Sequence, residues 1–122
     1  MSRILHVDFR DHLKHFRGWR EGHAVFVTVN DQPLNLRLEV CNHSPTGFEW
    51  GYHGSGPAQL ALALLIEHLE NTEQALVLHQ SFKQQVIARL PYASWTLTTK
   101  QIEEALYSLP FPVVTYAIRI RR

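Results

Sequence analysis

The sequence predicts an α+β fold in which a small, mostly antiparallel sheet is covered on one face by helices. Segments rich in β-branched and aromatic residues come first, and segments with helical periodicity follow them. One more alternating segment lies near the C-terminus. Grouped strands followed by grouped helices are typical of α+β proteins, because a parallel sheet would alternate the two. We therefore expect an N-terminal hairpin plus a C-terminal strand, covered by two to three helices.

Strands are predicted from alternation and composition. Residues 23–30 are dense in β-branched and aromatic side chains, residues 30–33 form a turn signal, and residues 34–41 alternate strictly. Together they predict an antiparallel hairpin with one apolar face. Three further strands are predicted over residues 3–9, 48–52 and 113–121, and one turn of helix is predicted over residues 11–16.

Three helices are expected. Residues 58–69 are apolar nearly all round, so this helix should be central to the core. Pro57 suits its first turn, because a proline lacks the N–H that would be unpaired there. Residues 72–90 have the stripe of an amphipathic helix. A third helix opens at Thr98, which has the capping-box spacing to Gln101.

Length and composition predict a single globular domain over residues 1–122. Of the 122 residues, 45% are hydrophobic and 19% are charged, which excludes a mainly disordered chain. There is no repeat or Gly/Ser linker. The single cysteine excludes an internal disulfide and favours the cytoplasm. The chain has neither the apolar run of a membrane span nor that of a signal peptide, so we expect no membrane contact.

A glycine-rich turn is the segment most suited to binding. Gly54-Ser55-Gly56 directly precedes a helix N-terminus, where unpaired N–H groups and the helix dipole favour an anion. Glycines there permit positive φ and a close approach of a ligand. Alternatively the turn is structural, with the glycines required by a tight connection and Ser55 capping the helix. The candidate ligand-binding residues are Trp50, Tyr52, His53, Gly54, Ser55, Gly56 and Gln59.

Trp50 and Tyr52 are two residues apart, so on a strand they should share one face.

The charge is unevenly distributed. The two ends, residues 1–22 and 117–122, together carry a net charge of +5, although the whole chain carries +1. If the ends meet in space, they form a basic patch for phosphate or an acidic partner, without a motif that specifies nucleic acid. The alternative is a pair of solvated basic ends. The candidate patch residues are Arg17, Arg20, Arg119, Arg121 and Arg122. A separate acidic helical side, either a solvated face or a mimic of nucleic-acid phosphates, comprises Glu67, Glu70, Glu73, Glu103 and Glu104.

Arrangements for catalysis or metal binding are poorly matched. Glu49, His53 and Ser55 have the residue types of a hydrolase triad, but an extended strand would spread them apart, and the G-x-S-x-G elbow is absent. Cys41, His43 and His53 have the residue types of zinc ligands, at a spacing that matches no common zinc pattern. We therefore predict no catalytic residue, no metal and no cofactor.

Residues 43–63 resemble a small bacterial family of unknown function whose members carry a W-G-Y-x-G-S-G-P-x-Q-L-A core. That core matches residues 50–61, and Phe16-Arg17-Gly18 resembles the family's aromatic-x-Gly opening. The resemblance covers most of residues 16–109, and His53 stands where the family more often has a small residue. Members of that family are often encoded on plasmids, integrative elements and phages. The resemblance implies no site residue, but it implies a mobile-element setting in which small proteins often block host defence enzymes.

The sequence therefore predicts a non-enzymatic binding protein. One version, which the resemblance implies, is an anti-CRISPR-like inhibitor that binds a host defence nuclease complex. The other is a small-ligand protein that holds a nucleotide or another anion on the Gly54-Ser55-Gly56 turn. A Ser/His hydrolase is a third, less supported reading. A turn open to solvent favours the ligand version, and a turn buried under helix 72–90 favours a structural role.

Overall fold

The computed structural model describes residues 13–109, which form a four-stranded sheet and three helices. The sheet is antiparallel with the strand order β3-β2-β1-β4. The α+β prediction is confirmed. The predicted strands over residues 3–9 and 113–121 lie outside the described residues. In chain order the elements are β1 (His15–Glu21), β2 (Ala24–Val29), β3 (Gln32–Pro33), α1 (Ser55–Leu69), α2 (Thr72–Gln85), a 3-10 turn (Ile87–Arg89), β4 (Ser94–Thr98) and α3 (Thr99–Tyr107).

Helix α1 is the centre of the core, as its composition predicts. All of its residues except Ser55 and Glu67 are buried. An apolar residue on every side of a helix requires packing partners on every side. The sheet supplies part of this packing through Phe16, Val27 and Trp95, which belong to the same hydrophobic cluster.

The prediction that residues 23–30 form a hairpin mainly with residues 34–41 is wrong. Strand β2 pairs with β1 over its whole length, with Trp19 opposite Phe26, whereas it pairs with only two residues after the turn. The turn itself is confirmed, because Asn30 and Asp31 both have positive φ, 48° and 69°. Two positive φ values are the signature of the primed turns that close two-residue hairpins.

Residues 34–41 leave the sheet although their sequence alternates. Arg37 has a φ of 62°, a left-handed conformation that interrupts an extended chain. The Asn35 side chain stabilises this bend, since its Oδ1 accepts the Arg37 backbone N–H at 2.8 Å. Leu34 still reaches the core with 6% of its surface exposed. An alternating segment therefore becomes an irregular one that lies against α1.

Strands β1 and β4 meet at a glycine. Gly18 lies opposite Trp95, and a Cβ at Gly18 would overlap the Trp95 indole. A glycine within a strand often marks such a close approach. Neither strand was predicted from the sequence, because Gly18 interrupts the strand pattern of β1 and because β4 is short and polar. The helical turn predicted over residues 11–16 is wrong at His15 and Phe16, which lie in β1.

The helix ends follow local signals. Thr98 Oγ1 accepts the Gln101 backbone N–H at 3.2 Å, and Gln101 Oε1 accepts the Thr98 backbone N–H at 2.9 Å. This is the predicted capping box at the start of α3. The amphipathic helix ends at Gln85, and a 3-10 turn completes the segment predicted up to residue 90.

Within residues 13–109, no helix combines the length and the apolar character that crossing a bilayer requires.

We expect Gly18→Ala to lower the free energy of unfolding by about 1–3 kcal/mol, because the new methyl group displaces the indole. Urea denaturation measures the change. In a Trp95→Leu background the same substitution should cost clearly less. An equal cost in both backgrounds would contradict the packing explanation.

Candidate functional site

The Gly54-Ser55-Gly56 turn opens α1 at the surface. Gly54 is the N-cap residue, and none of the described side chains caps the helix. Ser55 is the first helical residue and is exposed, so the expectation that it caps the helix is wrong. Pro57 follows in the first turn, as predicted. Within residues 13–109, the N–H groups of Ser55 and Gly56 therefore have no side-chain acceptor.

The glycines of this turn are required for close contacts and not for positive φ. Gly54 has an extended φ of 169°, and Gly56 is not among the residues with positive φ. A Cβ at Gly56 would lie 2.7 Å from the Cβ of Glu49. A Cβ at Gly54 would lie 2.8 Å from the Tyr52 ring. The expectation of a positive φ in the turn is therefore wrong, and the glycines let two neighbouring side chains approach the helix start.

A cleft of about 450 Å³ lies in front of this helix start. One wall is the beginning of β2 together with His23. The opposite wall, which we call the loop wall, comprises Ser44, Thr46 and Gly47. Phe48, Glu49, Tyr52 and the first two residues of α1 complete the lining. The turn thus opens onto a cleft that no residue of α2 lines.

The structure separates the two aromatic candidates. Residues 48–52 form no strand. Trp50 is 0% exposed, whereas Tyr52 is 49% exposed. The Trp50 indole N–H donates to the Tyr92 carbonyl oxygen at 2.9 Å, and its ring packs edge-on against Trp95. Tyr52 therefore remains a candidate for ligand contact, and Trp50 is part of the core.

His53 is exposed and lies outside the cleft lining.

Gln59 is a structural residue. Its side chain is 0% exposed and makes four hydrogen bonds. Its Oε1 accepts the backbone N–H groups of His43 at 2.7 Å and Ser44 at 3.0 Å. Its Nε2 donates to the carbonyl oxygens of Leu36 at 2.7 Å and Cys41 at 3.0 Å. We call these four bonds the Gln59 network, and they attach the irregular segment and the loop wall to α1.

The carboxylate that lines the cleft is neutralised. Arg20 donates from both Nη atoms to the Glu49 carboxylate, at 3.1 and 2.8 Å. These hydrogen bonds lower the pKa of Glu49 and raise the pKa of Arg20. The Arg20 guanidinium also lies over the rings of Trp50 and Tyr92. Arg20 is therefore engaged within the fold and is not part of a free basic patch.

The rest of the predicted basic patch is not brought together among the described residues. Arg17 is exposed, and its guanidinium lies 4.7 Å from the centre of the Trp19 ring. Residues 17 and 20 are three apart on one strand, so their side chains leave opposite faces of the sheet. Arg119, Arg121 and Arg122 lie outside the described residues.

The acidic helical side is largely paired. Glu67 bonds Lys14 at 2.9 Å and lies 3.5 Å from Arg37, and Glu103 lies 2.8 Å from His68. Because these carboxylates are paired, the acidic helical side is less similar to a row of nucleic-acid phosphates.

The catalytic and metal-binding alternatives lack the required geometry. Glu49 is bonded to Arg20, and no hydrogen bond joins His53 to Ser55 in the described part of the chain. Between residues 13 and 109, no three His, Cys, Asp or Glu side chains are arranged to hold a metal ion. Cys41 and His43 do meet, at 3.4 Å, but their neighbour is His79 and not His53.

We expect Gln59→Leu to lower the free energy of unfolding by about 3 kcal/mol or more, because four buried backbone groups lose their partner. Gln74→Leu is the matched control. Gln74 is 7% exposed, and its amide has no partner among the described residues, so its substitution should change stability by less than about 1 kcal/mol. Equal costs in urea denaturation would contradict the role of the Gln59 network.

We expect Arg20→Met to raise the pKa of Glu49, because the hydrogen bonds from the Arg20 guanidinium are the main cause that lowers this pKa. A depressed folded-state pKa stabilises the fold above the unfolded-state value of about 4.5, and this stability is lost as the pH falls through the folded-state value. The variant should therefore show a weaker loss of stability in acid. Carboxyl ¹³C NMR measures the titration, with Arg17→Met as control, and an unchanged Glu49 titration would contradict the assignment.

Comparisons with known proteins support one conclusion. No curated protein and no solved structure matches the chain. A family of unknown function (DUF6166) matches residues 16–108, which include all of β1 except His15, the cleft and all three helices. The chain belongs to this family of unknown function, DUF6166.

Proposed function

We propose that this protein is a non-enzymatic binding protein that holds an anionic group in the cleft at the start of α1. The observation that carries the proposal is the uncapped N-terminus of a central helix facing a cleft of about 450 Å³. Such a terminus carries about half a positive charge and presents free N–H donors. The volume lies within the range of roughly 300–1,000 Å³ that is common for small-molecule sites.

The electrostatics of the lining support an anion. Glu49 is the carboxylate of the cleft, and Arg20 neutralises it. Hydroxyl groups of Thr46 and Ser55 and the imidazole of His23 add polar atoms to the lining. Phe48 and Tyr52 add aromatic rings to the same cleft. A phosphate on the helix terminus with a base beside an aromatic ring suits this combination, so a nucleotide is the ligand class we propose.

The sheet supports a second candidate, binding of a protein partner. Arg17, Trp19 and Phe26 lie on the face of the sheet opposite the core, with the two rings stacked at 5.4 Å. Phe26 is 39% exposed. Tryptophan and arginine are enriched among the residues that dominate binding energy at interfaces. In this version the protein acts in the cytoplasm, in a mobile-element setting, as an inhibitor of a host defence nuclease complex.

We expect inorganic phosphate and AMP to raise the melting temperature and to shift the amide resonances of Ser55 and Gly56. A ligand at a hundred times its dissociation constant adds about 2.7 kcal/mol to the free energy of unfolding. Ser55→Asp should raise the dissociation constant at least about tenfold, since the new carboxylate occupies the helix terminus and repels anions. The same carboxylate favours the helix, so the variant is expected to fold.

Thr72→Asp is the control, because it makes the same charge change at the start of α2, whose terminus Asn71 already caps. Binding that Ser55→Asp leaves unchanged, or no binding of either probe by the unmodified protein, would overturn the anion site.

A further inference from the structure

Two histidines connect the loop wall to the second helix. His43 Nε2 lies 3.0 Å from His79 Nε2, and we call this pair the histidine contact. His79 belongs to α2 and is 6% exposed. His43 directly precedes Ser44, the first residue of the loop wall. The loop is therefore fixed at two points, by the Gln59 network from α1 and by the histidine contact from α2.

The contact requires a particular arrangement of protons. His79 Nδ1 lies 2.8 Å from the Leu76 carbonyl oxygen, so it carries the hydrogen that it donates there. In the neutral ring the Nε2 of His79 is then an acceptor, and the Nε2–H of His43 donates to it. One added proton is tolerated, because a proton on His43 Nδ1 leaves the Nε2–H donating to His79, and a proton on His79 Nε2 can be donated to His43 if His43 changes tautomer. When both rings are protonated, two N–H groups face each other at 3.0 Å and no hydrogen bond remains.

The surroundings favour the neutral form of His79. Burial is the main cause that lowers the pKa of His79, and the charges of His43 and Lys83 lower it further. The Cys41 thiol, 3.4 Å from His43 Nε2, is the other titratable group at the contact. A lowered folded-state pKa means that the buried, neutral His79 ring contributes stability above the unfolded-state value of about 6.5, and this contribution is lost as the pH falls through the folded-state value.

We propose that the histidine contact is an acid-sensitive device that releases the loop wall and weakens anion binding in the cleft. Ser44 lines the cleft and directly follows His43 in the chain, and its backbone N–H donates to Gln59 Oε1. Losing one of two attachment points lets residues 44–47 move away from the helix start. This regulation rests on the proposed function for its consequence, although the opening itself can be observed without a ligand.

The first experiment follows the ligand-free protein by NMR from pH 8 to pH 5. We expect the Ser44 and Gly47 amide resonances to move over the same pH range as the resonances of the His79 ring. His79→Gln keeps an acceptor near the Nε2 position without titrating there, so it should abolish the Ser44 and Gly47 shifts. His43→Gln is a second variant, on the half-buried side of the contact. His53→Gln, at an exposed position, should leave the shifts as they are.

Ser44 and Gly47 shifts that persist in both His79→Gln and His43→Gln would overturn the proposal, as would shifts in a pH range different from that of the His79 ring.

The second experiment measures sulfate binding, because the charge of sulfate is constant over this pH range. In a His23→Gln background, which removes that imidazole from the cleft lining, we expect the dissociation constant to rise about tenfold between pH 7.5 and pH 5.5, equivalent to about 1.4 kcal/mol, and to stay nearly constant once His79→Gln is added. An equal rise in this variant would contradict the coupling to the cleft. Absence of sulfate binding at every pH would overturn the proposed function, while the ligand-free titration still decides the histidine contact.

Discussion

The buried amide of Gln59 is the interaction on which the cleft depends. Residues 36–44 have no sheet or helix to satisfy their backbone groups, and four of these groups bond this one side chain. A buried donor or acceptor left unpaired costs about 1–3 kcal/mol, so the irregular segment has little freedom to follow another path. The position of the loop wall is therefore set by α1, the same helix whose N-terminus forms the base of the cleft.

A second network sets the charge of the cleft. Arg20 on β1 bonds Glu49, stacks on Trp50 and Tyr92, and donates from Nε to the Tyr92 carbonyl oxygen. This joins the sheet to the segment that enters α1. Because Gly56 has no side chain, the Glu49 chain can approach the helix start closely while its carboxylate remains paired. An acidic residue at the site thus leaves the positive end of the helix available.

The features that the sequence predicted correctly are those that depend on residues close together in the chain. The apolar composition of α1, Pro57 in its first turn, the turn at Asn30 and the capping box at Thr98 are all of this kind. What the sequence did not reveal depends on distant partners. The alternation after residue 33 is typical of a strand, but the left-handed Arg37 and the bonds from Gln59 remove it from the sheet. A glutamine within an apolar helix was the one available sign of that network.

Native-state hydrogen exchange at pH 7.5, in low concentrations of urea, tests most directly whether the loop wall is held as firmly as the core. We expect the Ser44 amide, bonded to Gln59, to exchange with an opening free energy close to that of amides in the middle of α1. At this pH, with the histidine contact intact, the cleft would then be preformed, and its wall would open only when the protein unfolds. Exchange of Ser44 through a low-energy local opening, with α1 still protected, would contradict this account.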